Sequence, residues 1–172
     1  QGVQYSMDAW RGGFIVADAH LGRVLRVTAD GTVSELVTFP GTDTVPTGLE
    51  VARGRGHVAT AGPIPPLPTD STINRVDHDG DVAEVAGWGD GYAGDIGLIV
   101  DVEVGRSGRL YGLLQGHWDL DPIPDNEGFP AAPGTGEIVV ADRAGDVRPG
   151  GAGIDQPPSF ELVGRAAYVV TP

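Results

Sequence analysis

The residues best suited to chemistry gather in one stretch, Gln115–Thr135, which carries His117, Trp118, Asp119, Asp121, Asp125 and Glu127. Carboxylates at short spacing, with Asn126 among them, suit a hard divalent cation, calcium or magnesium, because such ions prefer oxygen ligands. The stretch is not an EF-hand loop. Pro122 and Pro124 interrupt it, and its glycine and distal glutamate fall in the wrong places. The plainer alternative is a solvated acidic loop. A second carboxylate pair, Asp101 and Glu103, lies in Leu98–Val104 (LIVDVEV). Alternation in a strand puts these two on one face and Val100, Val102 and Val104 on the other. Two histidines, His20 and His117, are the candidate catalytic groups, as general bases or metal ligands. A loop histidine that bonds only to backbone competes with that reading. His57 and His78 read as structural or solvent-facing. In Gly89–Gly97 (GDGYAGDIG), Asp90, Tyr92 and Asp95 stand among glycines. Together with Trp118 they are candidates for a ligand-binding face, although Asp and Gly also build ordinary turns. The segment is no phosphate loop, since neither a Lys nor a helical pattern follows it. No serine sits in a Gly-x-Ser-x-Gly elbow, so a nucleophilic triad is hard to assemble.

Composition narrows the classes. The chain has 172 residues, enough for one domain with a sizeable core. Its 28 Gly and 14 Pro suit a turn-rich all-β protein. With no Cys there is no disulfide framework and no thiolate chemistry. Net charge is −13, from 24 acidic and 11 basic residues, and every basic residue is Arg. Such a surface repels phosphate backbones, which argues against nucleic acid as a partner. Lys-free acidity fits adaptation to high salt, and equally a GC-rich coding sequence. No apolar run is long enough for a transmembrane helix. No signal peptide is visible, and a first residue of Gln fits a mature, cleaved or trimmed product.

These candidates must be positioned by strands. Apolar residues alternate or come in short runs bounded by Gly and Asp-Gly turns. The strands fall into a four-stranded repeat, a-b-c-d. The expected units are residues 3–39, 46–88 and 98–149, with a partial unit at 158–172. Three segments show the repeat directly: RVLRVTADGTVSEL, TINRVDHDGDVAEV and GEIVVADRAGDVRP. Asp30 and Asp79 lie 49 residues apart, and Asp79 and Asp146 lie 67 apart. The excess falls in b–c loops rather than strands. Repeated four-stranded units of this length read as β-propeller blades. In such a blade the b–c and d–a connections share one end. There the long segments Gly62–Asp70, Gly89–Gly97, Gln115–Thr135 and Gly150–Pro157 collect, which marks the expected binding face. Asp8, Glu50, Asp101, Glu103 and Glu161 fall on or next to the first strand of a repeat, which lines the channel, and alternation lets only some of them face inward.

The blade grammar resembles the NHL/SMP-30-like propellers, and within them most closely the ScyD/ScyE family of extracytoplasmic proteins. The matching residues are Pro46-Thr47-Gly48-Leu49, Val102–Val104 with the turn Gly105–Gly108 and then Leu110-Tyr111, and Gly136-Glu137-Ile138-Val139 running into Asp142–Asp146. The resemblance covers nearly the whole chain, but the family's propellers are roughly twice as long. Three and a half blades do not close a ring of about four to eight. The expectation is therefore that another copy, or another chain, completes the ring. The alternative is a piece of a longer polypeptide. The resemblance implies an extracellular or cell-surface binding or scaffold protein, with a small-molecule or glycan ligand. It also implies an alternative: a metal-dependent lactonase-like hydrolase or a streptogramin-lyase-like enzyme, with Asp101 and Glu103 near a channel cation.

Overall fold

Fourteen short strands and no helix account for the regular structure of the computed structural model, which describes residues 3–41, 44–62, 70–88, 97–117, 131–142 and 144–172. The first sheet is antiparallel, in the order β1 (Gln4–Trp10), β2 (Gly13–Asp18), β3 (Arg23–Val27), β4 (Val33–Thr38). The second is β5 (Val45–Ala52), β6 (Arg55–Ala61), β7 (Thr72–Val76), β8 (Val82–Gly87). The third is β9 (Gly97–Val104), β10 (Leu110–His117), β11 (Gly136–Ala141), β12 (Val147–Ile154). A two-stranded sheet, β13 (Ser159–Val163) with β14 (Ala166–Val170), ends the chain. Within each sheet every strand pairs with its neighbour in sequence, antiparallel throughout.

The turns follow from local chemistry. Arg11-Gly12 joins β1 to β2 and Arg53-Gly54 joins β5 to β6, each with both residues at positive φ. That is the geometry a two-residue hairpin requires. The β3–β4, β7–β8 and β11–β12 turns repeat one device. Gly31, Gly80 and Gly145 supply positive φ, and each donates its N–H to the residue three before it: Thr28, Asp77 and Asp142.

Two ends differ from the sequence expectation. The last strand of the third sheet was expected to stop at Pro149, yet β12 runs to Ile154 through Pro-Gly-Gly-Ala-Gly. It is an edge strand, so pairing with β11 on one side is enough, and a proline is tolerated there. Gln115, Gly116 and His117 were expected to open a loop but complete β10, where His117 pairs with Gly97. Gly116, at φ 129°, absorbs the register shift.

The core lies between sheets rather than within one. Ile15, Val24 and Trp10 of the first sheet pack against Leu49, Val58 and Val76 of the second. Ala59, Ile73 and Trp88 pack against Ile99, Val102 and Leu114 of the third. Val100 and Leu113 pack against Phe160 of the last. The first strands of successive sheets approach closely at Gly48. A Cβ added there would stand 2.6 Å from the Asp101 Cα. Backbone cannot yield as a flexible side-chain end can, so Gly48→Ala should cost about 1–3 kcal/mol through strand displacement. Urea unfolding checks this: an unchanged midpoint would contradict the close approach.

Candidate functional site

The first strands β1, β5, β9 and β13 stand side by side and form one wall. A cavity of about 590 Å³ opens on it, lined by Asp8, Glu50, Asp101, Glu103 and Glu161, with Ser6, Ser159 and Tyr168 among its other residues. The carboxylates are in matching register. Asp8 lies two residues before Trp10, which pairs with Gly13 to close its hairpin. Glu50 stands in the same relation to Ala52 and Glu161 to Val163. Glu103 stands so to Gly105, whose N–H closes a longer turn on Arg109. Four successive blades thus place a carboxylate at one level of the channel, with Asp101 one inward-facing position away from Glu103.

These groups do a common job. Val51 N–H donates to Asp8 Oδ2 (2.7 Å), Val104 N–H to Glu50 Oε2, and Leu162 N–H to Glu103 Oε2 (3.4 Å). Phe160 N–H donates to Asp101 Oδ2 (3.0 Å). Each carboxylate therefore accepts a backbone amide from the first strand of the next blade. Where the carboxylate is ionised, such a bond is charge-assisted and stronger than a neutral one. Glu161 holds the same place in β13, and among the described residues nothing donates a hydrogen bond to it.

Crowding like charges in a partly dry channel has an electrostatic consequence. Burial pushes the Glu103 carboxyl up to about 8, helped by the neighbouring charges of Glu50 and Glu161. Burial likewise pushes Glu50 up to about 7, against the lowering effect of the Val104 amide. Asp101 is also raised, chiefly by burial, although its two amide donors from Phe160 and Val102 pull the other way. The channel wall thus holds a mixture of protonated and ionised carboxyls near neutral pH. It is suited to binding a cation or a hydrogen-bonding ligand, or to exchanging a proton.

The other expected site residues lie elsewhere. His20 is exposed in the β2–β3 turn, and His117 is exposed at the end of β10. The backbone of His117 is tied down, its N–H donating to Thr135 Oγ1 (2.8 Å) and its carbonyl accepting from Ala132 N–H (2.7 Å). Neither histidine lines the axial cavity. Asp90, Tyr92, Asp95, Trp118, Asp119, Asp121, Asp125 and Glu127 lie outside the described residues. Among the described residues no three His, Asp or Glu side chains converge as a ligand set for a metal ion. No helix among them is long and apolar enough to cross a membrane.

No protein-family model and no curated protein matches the sequence. Solved structures do resemble the fold. A gluconolactonase from Xanthomonas campestris superposes with a TM-score of 0.61 at 21% identity, over 91% of this chain and 50% of that one. Virginiamycin B lyase from Staphylococcus aureus gives 0.56 at 14% identity, over 98% of this chain and 62% of that one. The aldose sugar dehydrogenase from Streptomyces coelicolor gives 0.52 at 16%, over 83% and 45%. The chain thus has the fold of a β-propeller segment, and it spans about half the length of the structures it matches.

The raised carboxyls set a pH dependence. Their folded pKa values exceed the unfolded ones, so the native state binds more protons between about pH 4.5 and 8, and stability falls as pH rises through that window. Glu103→Gln keeps an oxygen acceptor for Leu162 but removes the titration. At pH 8.5 its melting temperature should be higher than that of the parent by a few degrees, and at pH 4.5 nearly equal. A parent protein equally stable at both pH values would contradict the crowding.

Proposed function

We propose that this chain is half of a binding propeller, in which the acid-lined channel recognises a cationic group or a divalent cation, calcium or magnesium, once the ring is complete. The observation that carries this is the register of Asp8, Glu50, Glu103 and Glu161. One carboxylate per blade, at one level, makes a wall whose character is repeated rather than local. Three of the four are latched to a neighbouring strand, so they are held in place before any ligand arrives. Preorganised acceptors of this kind favour binding over a side chain that must move to react.

Ring completion by a second copy or another chain is part of the same reading. Large apolar side chains are left exposed at the two ends of the segment. Tyr5, Met7 and Phe14 belong to the first blade, and Val163, Tyr168 and Val170 to the last. Tyr168 is 63% exposed and Met7 64%, and both line the channel cavity, so a chain that closed the channel would cover them. Glu161, with its acceptor position open, stands where a following blade would dock. The sequence resemblance to ScyD/ScyE proteins supports an extracytoplasmic scaffold with a small-molecule or glycan ligand on the b–c and d–a loop face.

A second reading, a lactonase-like or streptogramin-lyase-like enzyme, draws on the raised Glu50 and Glu103 carboxyls, since a group titrating near neutrality can exchange protons with a substrate. The two readings part on measurement. Calcium and magnesium titrations followed by melting temperature should show a saturable rise, reduced in Glu103→Gln, with no turnover of a simple lactone. Absence of any rise at millimolar metal, together with Glu103-dependent lactone hydrolysis, would favour the enzyme. Native mass spectrometry should show two chains per particle; a soluble folded monomer would overturn completion by a partner.

A further inference from the structure

Away from the channel, a second cavity of about 520 Å³ lies at the hairpin end of the second and third sheets. Arg53 comes from the β5–β6 turn, Arg55 and His57 from β6, Arg75 from β7, and Arg109 from just before β10, with Ser107 and Gly108 from the β9–β10 turn. The rest of the wall includes Val85, Val104 and Leu110. Four of the chain's eleven basic residues thus surround one cavity in a protein of net charge −13. Chance scatter of arginines over an acidic surface would place acids beside them, and here the acids do not balance. Asp77 serves two guanidiniums at once, Arg55 at 2.8 Å and Arg75 at 3.6 Å. Asp142, on the rim, accepts the amides of Ala144 (2.8 Å) and Asp146 (3.2 Å) within its own turn. Arg53 and Arg109 have no acidic partner among the described residues. With His57 neutral, four guanidiniums against two carboxylates leave an excess of two positive charges.

The groups in the wall are also unfinished as hydrogen-bond partners. Arg75 Nε is buried and makes no hydrogen bond within the described residues, since 3.6 Å to Asp77 is too long for one, and His57 Nδ1 is buried without a well-formed one, although the imidazole interacts with the Glu50 backbone. A buried polar atom without a partner costs about 1–3 kcal/mol, so such atoms mark where a further group belongs. Arg53 is exposed and lays its guanidinium against Gly108, where an added Cβ would meet its carbon and both terminal nitrogens at 3.1 Å. A side chain in place of that glycine would push it away. Guanidinium forks are matched to tetrahedral oxyanions, and apolar walls beside them suit an organic substituent.

We propose that this cavity between the second and third blades binds a small molecule carrying a dianionic phosphate group, with Arg53 and Arg109 clamping the phosphate and Val85, Val104 and Leu110 contacting the organic part. The site lies at the end of the blades opposite the long b–c and d–a connections. It does not depend on the channel or on a completed ring, so its test stands apart from the channel reading.

Calorimetric titration of the full chain with inorganic phosphate, phenyl phosphate and benzoate, paired with amide chemical shifts, decides it. Phenyl phosphate should bind saturably, more tightly than inorganic phosphate, and should move the Ser107 and Gly108 amides. Arg109→Gln and Arg53→Asn, the latter chosen because Asn tolerates the positive φ at that turn, should each weaken binding about tenfold through loss of a charge-assisted contact. Arg148→Gln, an exposed arginine on β12 that does not line the cavity and gives the same change in net charge, should leave affinity within about twofold, because a screened surface charge outside the site contributes little. Non-saturating shifts, equal loss in Arg148→Gln, or benzoate binding as tightly as phenyl phosphate would each overturn the assignment.

Discussion

The bond between a channel carboxylate and the backbone amide of the next blade is the constraint on which the arrangement depends. Within a sheet, ladder hydrogen bonds hold the strands. Between sheets, packing of side chains such as Trp10 on Leu49 or Trp88 on Ile99 supplies attraction but little directional control. The latches Asp8 to Val51, Glu50 to Val104 and Glu103 to Leu162 supply direction. They fix the stagger of one first strand against the next, and the stagger decides which residues share a level in the channel.

Using carboxylates for this purpose brings them together. The same side chains that align the blades crowd four or five acids along one wall, and burial then lifts Glu50 and Glu103 out of the usual carboxylate range. On the proposed reading, structure and ligand recognition are therefore not separable at these positions. A cation in the channel would relieve repulsion among residues already needed to hold the blades in line. Glu161 holds the equivalent place in the last sheet, where nothing among the described residues donates a hydrogen bond to it, and apolar side chains of the first and last sheets are exposed. The arginine-lined cavity belongs to a different logic. It arises where the outer hairpins of two blades meet, and its charge is opposite in sign to that of the channel.

Much of the site was half legible. Asp101 and Glu103 were recognisable as same-face carboxylates from strand alternation alone, and both do line the channel. That Asp8, Glu50 and Glu161 match Glu103 in register was available in principle, since each stands at the same distance from its hairpin turn. The signal is hidden because the β9–β10 turn is longer than the other three. His20 and His117 have suitable chemistry and follow a second strand; the structure leaves both exposed and outside the lining of the channel cavity. His57, which reads as structural or solvent-facing, lines the arginine-rich cavity. Residue type says what a group can do; only packing against another blade says what it meets.

By itself the sequence determined the strands, the hairpin turns and their grouping in fours. These depend on alternation and on Gly or Asp-Gly at positions a few residues apart, which are local properties of the chain. It also determined that the acids would fall on first strands. Tertiary structure alone decided which acids share a level, which amides they accept, and that arginines from β6, β7 and the two hairpin turns converge. The carboxylate–amide pairs are separated by 43 to 59 residues, as Val51 is from Asp8 and Leu162 from Glu103. Contacts at that separation are set by how one sheet twists and packs on the next, and no local pattern of residues encodes that geometry.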